Sequence, residues 1–285
     1  QNAAGLPRCS GRGQAQRQHV HLREHRADIA SRRNPAGPTE QRRHARPALV
    51  ARRPTGAQRA VGSDLEPPPE GFSAAYDAAI ARRTTREPVA YITGVQEFWN
   101  REFAVSPAVL IPRPETELII EEALSMAFVT AADIGTGSGC LAVTLAAECP
   151  RARVVATDIS PPALVMARAN AERHHVASRI EFRETRYLNG IAGPFDLIVS
   201  NPPYVVRGEI GALAREVRDY DPRRALDGGS DGLVAYRAIA RDIAGLLAPG
   251  GAFALEVGKG QADDVAELMR LTGLHTIRPH RCDLA

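Results

Sequence analysis

From residue 127 onward the chain repeats one unit: a short apolar run, a glycine or acidic turn, then a stretch with helical spacing. Apolar runs at 128–134, 153–157, 180–182, 195–200 and 252–257, with a weaker one at 274–277, read as strands. The stretches at 139–147, 161–173, 232–247 and 261–271 read as helices, and Pro161 suits a first helical turn, where its missing N–H costs nothing. Strands separated by whole helices do not join as tight hairpins; each returns past a helix to lie parallel to a neighbour. The expected fold is α/β, a doubly wound, mainly parallel, Rossmann-like sheet with helices on both faces. Ligands of such sheets sit at the carboxyl ends of the strands, so the chemistry belongs there.

Two different textures precede this region. Residues 1–62 hold thirteen arginines against three acids and no aromatic residue, with only seven Leu, Ile or Val side chains. So few large apolar groups cannot offset the ordering entropy of a packed domain, and the segment reads as basic, low in complexity and largely disordered. Contact of this arm with nucleic-acid phosphates is the weaker reading beside a solvated tail. Residues 63–126 are a second unit. Phe72, Tyr76 and Ile80 recur every four residues, predicting a helix over 72–83 that closes on Arg82-Arg83. Apolar residues alternating around Gly94 and Asn100-Arg101 predict a β-hairpin. Pro107, Pro112 and Pro114 then force an extended connector into a helix at 115–126. The third unit, 127–285, is the α/β domain.

The first carboxyl end reads Asp133-Ile134-Gly135-Thr136-Gly137-Ser138-Gly139. Alternate glycines let the backbone turn tightly and approach a ligand with no Cβ in the way. Nicotinamide enzymes share such turns, but their pattern places its third glycine where this chain has Cys140. The second strand ends in Asp158, placed to accept hydrogen bonds from a ribose diol. Both features suit nucleoside cofactors of several kinds.

The fourth strand runs into Ser200-Asn201-Pro202-Pro203-Tyr204. Proline fixes φ and lacks an N–H, so Pro202 and Pro203 hold the neighbouring carbonyls rigidly outward. The Asn201 side-chain oxygen and one such carbonyl then form a pair of acceptors for a planar NH2 group. An amide nitrogen is a poor nucleophile because its lone pair is delocalised. Pinning both N–H bonds aims it at an electrophile and favours the positive charge that develops. Tyr204 is expected to offer a flat surface to the substrate group.

With these motifs the chain resembles the HemK/PrmC family, class I S-adenosylmethionine-dependent methyltransferases that modify the glutamine of the Gly-Gly-Gln motif in peptide chain release factors. Further signs are Pro88-Val89-Ala90-Tyr91-Ile92-Thr93-Gly94, Leu110-Ile111-Pro112-Arg113-Pro114-Glu115-Thr116-Glu117, and Ala225-Leu226-Asp227-Gly228-Gly229-Ser230-Asp231-Gly232. The resemblance implies a cofactor site of Asp133, Gly135, Thr136, Gly137, Ser138, Gly139, Asp158, Ile159, Tyr187 and Asn201. The catalytic and substrate-binding set is Asn201, Pro202, Pro203 and Tyr204. The cofactor is S-adenosyl-L-methionine, its product S-adenosyl-L-homocysteine, with no metal, and the partners are class 1 release factors. Where the family has Gly-Asp-Trp, this chain reads Thr185-Arg186-Tyr187; Tyr187 still suits an adenine ring, but Arg186 cannot accept its exocyclic N–H. The family also continues past Asp283-Leu284 into a final antiparallel strand, so an open gap at one side of the sheet and lowered stability are expected.

Other classes fare worse. No apolar run approaches the roughly 18 residues of a membrane span. No leader is evident, and Cys9, Cys140, Cys149 and Cys282 form no Cys-x-x-Cys pair, against zinc or a disulfide framework. The reading is of a cytoplasmic protein without membrane contact. An adenine-N6 or guanine-N2 nucleic-acid methyltransferase is the rival within the same chemistry, although residues 63–285 are net acidic and carry no basic, aromatic-rich insert. The rival from another class is a binding module that keeps the cofactor fold without activity.

Overall fold

The computed structural model describes the backbone of residues 19–25, 71–274 and 276–281, and the side chains of 71–274. In chain order the elements are β1 (His19–His25), α1 (Phe72–Thr84), α2 (Val89–Thr93), β2 (Val95–Phe98), β3 (Arg101–Ala104), α3 (Glu117–Leu124), β4 (Thr130–Ile134) and α4 (Cys140–Glu148). Then follow β5 (Arg153–Asp158), α5 (Pro161–Arg173), β6 (Ile180–Glu184), β7 (Phe195–Ser200), α6 (Arg215–Arg218), α7 (Arg223–Leu226), α8 (Val234–Leu246), β8 (Leu247–Gly258), α9 (Ala262–Arg270) and β9 (Thr276–Arg281).

Seven strands form one sheet in the order β6-β5-β4-β7-β8-β1-β9, and each neighbouring pair is parallel. The strand order turns back between β4 and β7, which places a crevice between their carboxyl ends. Alternation along each strand builds two apolar layers. Ala131, Leu197, Val199 and Ala254 face α3, α4 and α5, while Ala132, Ile134, Ile198, Phe253, Leu255 and Val257 face α8 and α9. The α4 helix is buried nearly all round, as its apolar sequence requires, whereas α8 and α9 bury one stripe each.

The hairpin β2–β3 stands apart from the main sheet and adds Phe98 and Phe103 to the layer that holds Ile119, Ile120 and Ala123 of α3. The hairpin and α3 therefore share a core with the α/β region. The hairpin turn is Trp99-Asn100, both with positive φ (52° and 54°), one residue before the Asn100-Arg101 position expected. Glu117 Oε1 accepts from the Trp99 backbone N–H (2.7 Å) and holds this uncommon tryptophan conformation. Residues 89–93, on the other side of Gly94, are a helical turn that buries Ala90 and Tyr91.

Within the segment read as largely disordered, residues 19–25 form β1, parallel to β8 on one side and β9 on the other, with Leu22 opposite Leu255 and Pro279. Val20 and Leu22 alternate with His19, His21 and Arg23, a period-two pattern that satisfies a strand. Among the described residues β8, β1 and β9 pair without interruption. The other residues of 1–62 lie outside the described residues.

Candidate functional site

The glycine loop between β4 and α4 is locked by its own backbone. The Gly135 and Thr136 N–H groups both donate to the Thr157 carbonyl (2.8 Å each), and the Gly139 N–H donates to the Thr136 carbonyl (2.8 Å). The Gly137 N–H donates to Asp158 Oδ2 (3.0 Å), which joins the loop to the end of β5. Gly139 has φ +83°, and an added Cβ would lie 3.1 Å from the Ala167 Cβ on α5, so this glycine serves helix packing. Gly135 differs: its φ is +73°, and an added Cβ would meet no protein atom within 4 Å. That space opens into a cavity of about 420 Å³.

Gly135, Thr136, Gly137, Ser138, Asp158, Ile159, Tyr187 and Asn201 all border this cavity. Of the residues expected to hold the cofactor, Asp133 and Gly139 lie behind the wall. Asp133 is wholly buried. Its Oδ2 accepts from the Thr136 hydroxyl (2.6 Å) and the Ala142 N–H (3.1 Å), so it shapes the loop from beneath. Burial pushes its carboxyl up to about 7, against those donors, and Oδ1 has no partner among the described residues. Asp158 is also raised by burial, with the Gly137 and Ser160 N–H groups opposing. With the Ile159 N–H as a third donor, the carboxylate keeps one acceptor site for a hydroxyl. Cys140 borders the cavity, but burial pushes its thiol up to about 12, which fits an inert packing role.

The second wall is the corner after β7. The Ser200 hydroxyl donates to the Ile134 carbonyl (2.6 Å) and staples β7 to β4. Asn201 and Pro203 border the cavity; Pro202 is buried and Tyr204 does not line it. Tyr204 instead donates to Glu256 Oε1 (3.2 Å), and its backbone carbonyl accepts from Gln261 Nε2 (3.0 Å). Through these two bonds Tyr204 braces the corner against β8 and the start of α9. Burial and the Glu256 carboxylate push its phenol well up.

Sequence reading missed why the block at 225–232 matters. Val205 bridges to Asp227, and an added Cβ on Gly228 would sit 2.8 Å from the Tyr204 backbone. On Gly232 it would sit 2.5 Å from the Tyr204 carbonyl oxygen. Two chain segments touch backbone to backbone here, which only glycine permits. Asn170 was missed as well. Wholly buried on α5, it donates through Nδ2 to the carbonyls of Ser138 (2.8 Å) and Ala104 (3.0 Å) and accepts from the Ala104 N–H (2.8 Å), tying the glycine loop to β3. Arg113, on the cavity rim, pairs with Asp221 (2.6 Å), which also accepts from the Tyr91 hydroxyl (2.8 Å). This ties the connector to the segment that follows the corner.

The cavity suits a nucleoside sulfonium. A side-chain-free glycine cradle lies at one end and a carboxylate at the second strand. Ile159 and Tyr187 form an apolar flank, with Thr185 and Arg186 beside them. No group of three His, Cys, Asp or Glu side chains among the described residues is placed to hold a metal ion.

Residues 114–241 match the profile of the methyltransferase small domain, and residues 61–94 match the PrmC N-terminal domain. A release factor glutamine methyltransferase from Cereibacter sphaeroides is 49% identical over 209 residues, 73% of this chain and 75% of the relative. A second, from Moorella thermoacetica, is 43% identical over 235 residues, covering 81% and 79%. A solved methyltransferase structure from Pyrococcus furiosus aligns over 72% of this chain and 86% of its own, at 20% identity and a TM-score of 0.45. On the extent and identity of the curated matches, the chain belongs to the release factor glutamine methyltransferase family.

Proposed function

We propose that this protein transfers a methyl group from S-adenosylmethionine to the side-chain amide nitrogen of a glutamine, that of the Gly-Gly-Gln motif in class 1 peptide chain release factors. The observation that carries the reading is the meeting of two walls in one cavity: the glycine cradle with Asp158 on one side, Asn201 and Pro203 on the other. When bound, S-adenosylmethionine would supply a sulfonium methyl carbon for attack by the nitrogen lone pair, the bond to sulfur breaking with S-adenosylhomocysteine as the leaving group.

The chain's part is positioning. Asp158 holds ribose hydroxyls, the Gly135–Gly139 turn leaves room for the methionine portion, and Tyr187 packs against the adenine. Asn201 Oδ1 and a carbonyl of the Pro202-Pro203 corner accept the two amide N–H bonds, which turns the nitrogen lone pair toward the cofactor end of the cavity. Tyr204 and Pro202 hold that corner rigid. The developing charge on nitrogen faces acceptor oxygens, so the transition state is favoured over the neutral ground state. The surplus proton leaves to water after transfer. No helix among the described residues is long and apolar enough to cross a membrane. A cytoplasmic setting follows from the substrate proposed.

Incubation with labelled S-adenosylmethionine and purified release factor tests the reading, beside a Gln-to-Ala variant of its Gly-Gly-Gln loop. Label on the unaltered factor alone is expected. Label on RNA or DNA instead would favour the nucleic-acid rival, and label on nothing would favour an inactive binding module.

A further inference from the structure

Behind Asn201 lies a short chain of buried polar groups that the reaction scheme does not use. Glu256, at the carboxyl end of β8, and Thr116, in the turn that opens α3, are each 3% exposed. The Thr116 hydroxyl donates to Glu256 Oε2 (2.7 Å), and Asn201 Nδ2 donates to Thr116 Oγ1 (3.0 Å). Tyr204 donates to the other oxygen of the same carboxylate (3.2 Å).

The donor inventory allows this chain to run in one direction only. Thr116 and Tyr204 each donate to one oxygen of Glu256, which acts here as acceptor to both. The single hydrogen of Thr116 is therefore committed to Glu256, and toward Asn201 the hydroxyl can only accept. The half of the Asn201 amide that faces Thr116 must then be its NH2, and the other half, the oxygen, is turned away from Thr116. A free asparagine amide flips between its two orientations at little cost, since nitrogen and oxygen are nearly alike in shape. A flipped Asn201 would offer N–H donors to an incoming N–H donor, and the pair would repel.

We propose that Thr116 and Glu256 are positioning residues that fix the amide orientation of Asn201, so that its oxygen meets the substrate amide; this rests on the glutamine-methylation reading above. Glu256 does not border the cavity, and Thr116 borders it beside Asn201. They act through Asn201, and through Tyr204 they hold the strand that carries it. The carboxylate end of the chain sets the polarity, because it alone lacks a hydrogen.

Glu256→Gln makes the inference testable without emptying the site. With the Tyr204 hydroxyl still donating to Oε1, the new Nε2 faces Thr116 and donates to it, which frees the Thr116 hydrogen to donate toward Asn201 and reverses the amide. The number of hydrogen bonds is conserved while the direction is inverted, and kcat should fall on the order of 100-fold. Thr116→Val removes the hydroxyl at nearly equal volume and lets Asn201 flip freely, so kcat should fall roughly tenfold. Thr116→Ser should restore it to within about threefold, since the hydroxyl is all the chain needs. Cofactor Kd should stay within about threefold in all three, because the site's own hydrogen bonds to Asp158 and the glycine turn are untouched. In an Asn201→Ala background, adding Thr116→Val should change nothing further.

A readout independent of methyl transfer is the Asn201 side-chain NH2 resonance, assigned by its loss in Asn201→Asp. Its protons should exchange slowly in the unaltered protein and quickly in Thr116→Val. Loss of that protection together with the fall in kcat supports the proposal. Retention of more than half of kcat in folded Thr116→Val and Glu256→Gln would overturn it, as would exchange that Thr116→Val leaves unchanged. An unaltered enzyme that methylates no release factor would instead sink the functional reading, and the exchange measurement would still decide the orientation.

Discussion

Asn170 offers the sharpest test of how the site is assembled. Its side chain makes three hydrogen bonds, two as donor and one as acceptor, between α5, the glycine loop and β3. Asn170→Ala strands all three backbone partners. Ser138 is buried at 2% exposure, so its carbonyl loses the bond with no water to replace it, at a cost of about 2 kcal/mol. Ala104 is half-buried, and water reaches its two groups, so each loses only about 0.5 kcal/mol. The sum, about 3 kcal/mol, should lower Tm by roughly 6–12 °C for a folded unit of this size. Denaturant unfolding should show the same loss at unchanged m-value. Asn170→Asp keeps the acceptor but sets an oxygen against two carbonyls, so it should be at least as destabilising at neutral pH and recover as acid protonates the carboxyl. Because the Ser138 carbonyl lies in the loop that borders the cavity, cofactor affinity should fall in parallel. A loss below about 1 kcal/mol for Asn170→Ala would refute the claim that this asparagine ties hairpin to loop.

Asn201→Ala should nearly abolish methyl transfer while leaving cofactor Kd within several-fold, measured by single-turnover labelling beside equilibrium binding; retained turnover would remove Asn201 from its role. Gly228→Ala, with a Cβ 2.8 Å from the Tyr204 backbone, should displace the corner and lower both Tm and kcat, whereas Gly208→Ala, where an added Cβ meets nothing within 4 Å, should alter neither. Asp133 is raised from an ordinary 3.8 to about 7, so between these values the folded protein holds a proton that the unfolded chain has lost. Its contribution therefore makes stability fall as pH rises across that window and level off above it. Asp133→Asn should remove that component from a pH series of unfolding free energies.

Much of this was legible in the sequence because the strand–turn–helix rhythm is set by local chemistry. The runs ending at Ile134, Asp158 and Ser200 fall where apolar residues meet glycine, acid or proline, and the structure ends its strands there. The glycine and aspartate residues that border the cavity were legible for the same reason, as they stand at strand ends. What stayed hidden depends on distant segments meeting. Glu256 and Thr116 are 140 residues apart, and neither stands out from its own neighbours. Asn170 sits mid-helix, where local rules read it as a weak helix former and its partners on β3 and the glycine loop are out of view. The partner of Tyr204 was hidden in the same way: local sequence marks an aromatic ring beside the corner, but the buried carboxylate that takes its hydroxyl comes from β8. The strand at 19–25 did not stand out because composition was read over 62 residues and its alternation spans seven.

The central claim is that the corner after β7 grips a flat amide and aims its nitrogen at the cofactor. The most direct measurement is a crystal structure with S-adenosylhomocysteine and a glutamine-containing release factor loop. The account predicts the glutamine nitrogen at about 3 Å from Asn201 Oδ1 and from a carbonyl of the Pro202-Pro203 corner, facing the sulfur. A glutamine seated elsewhere, or with its nitrogen turned from the sulfur while its oxygen meets Asn201, would contradict it.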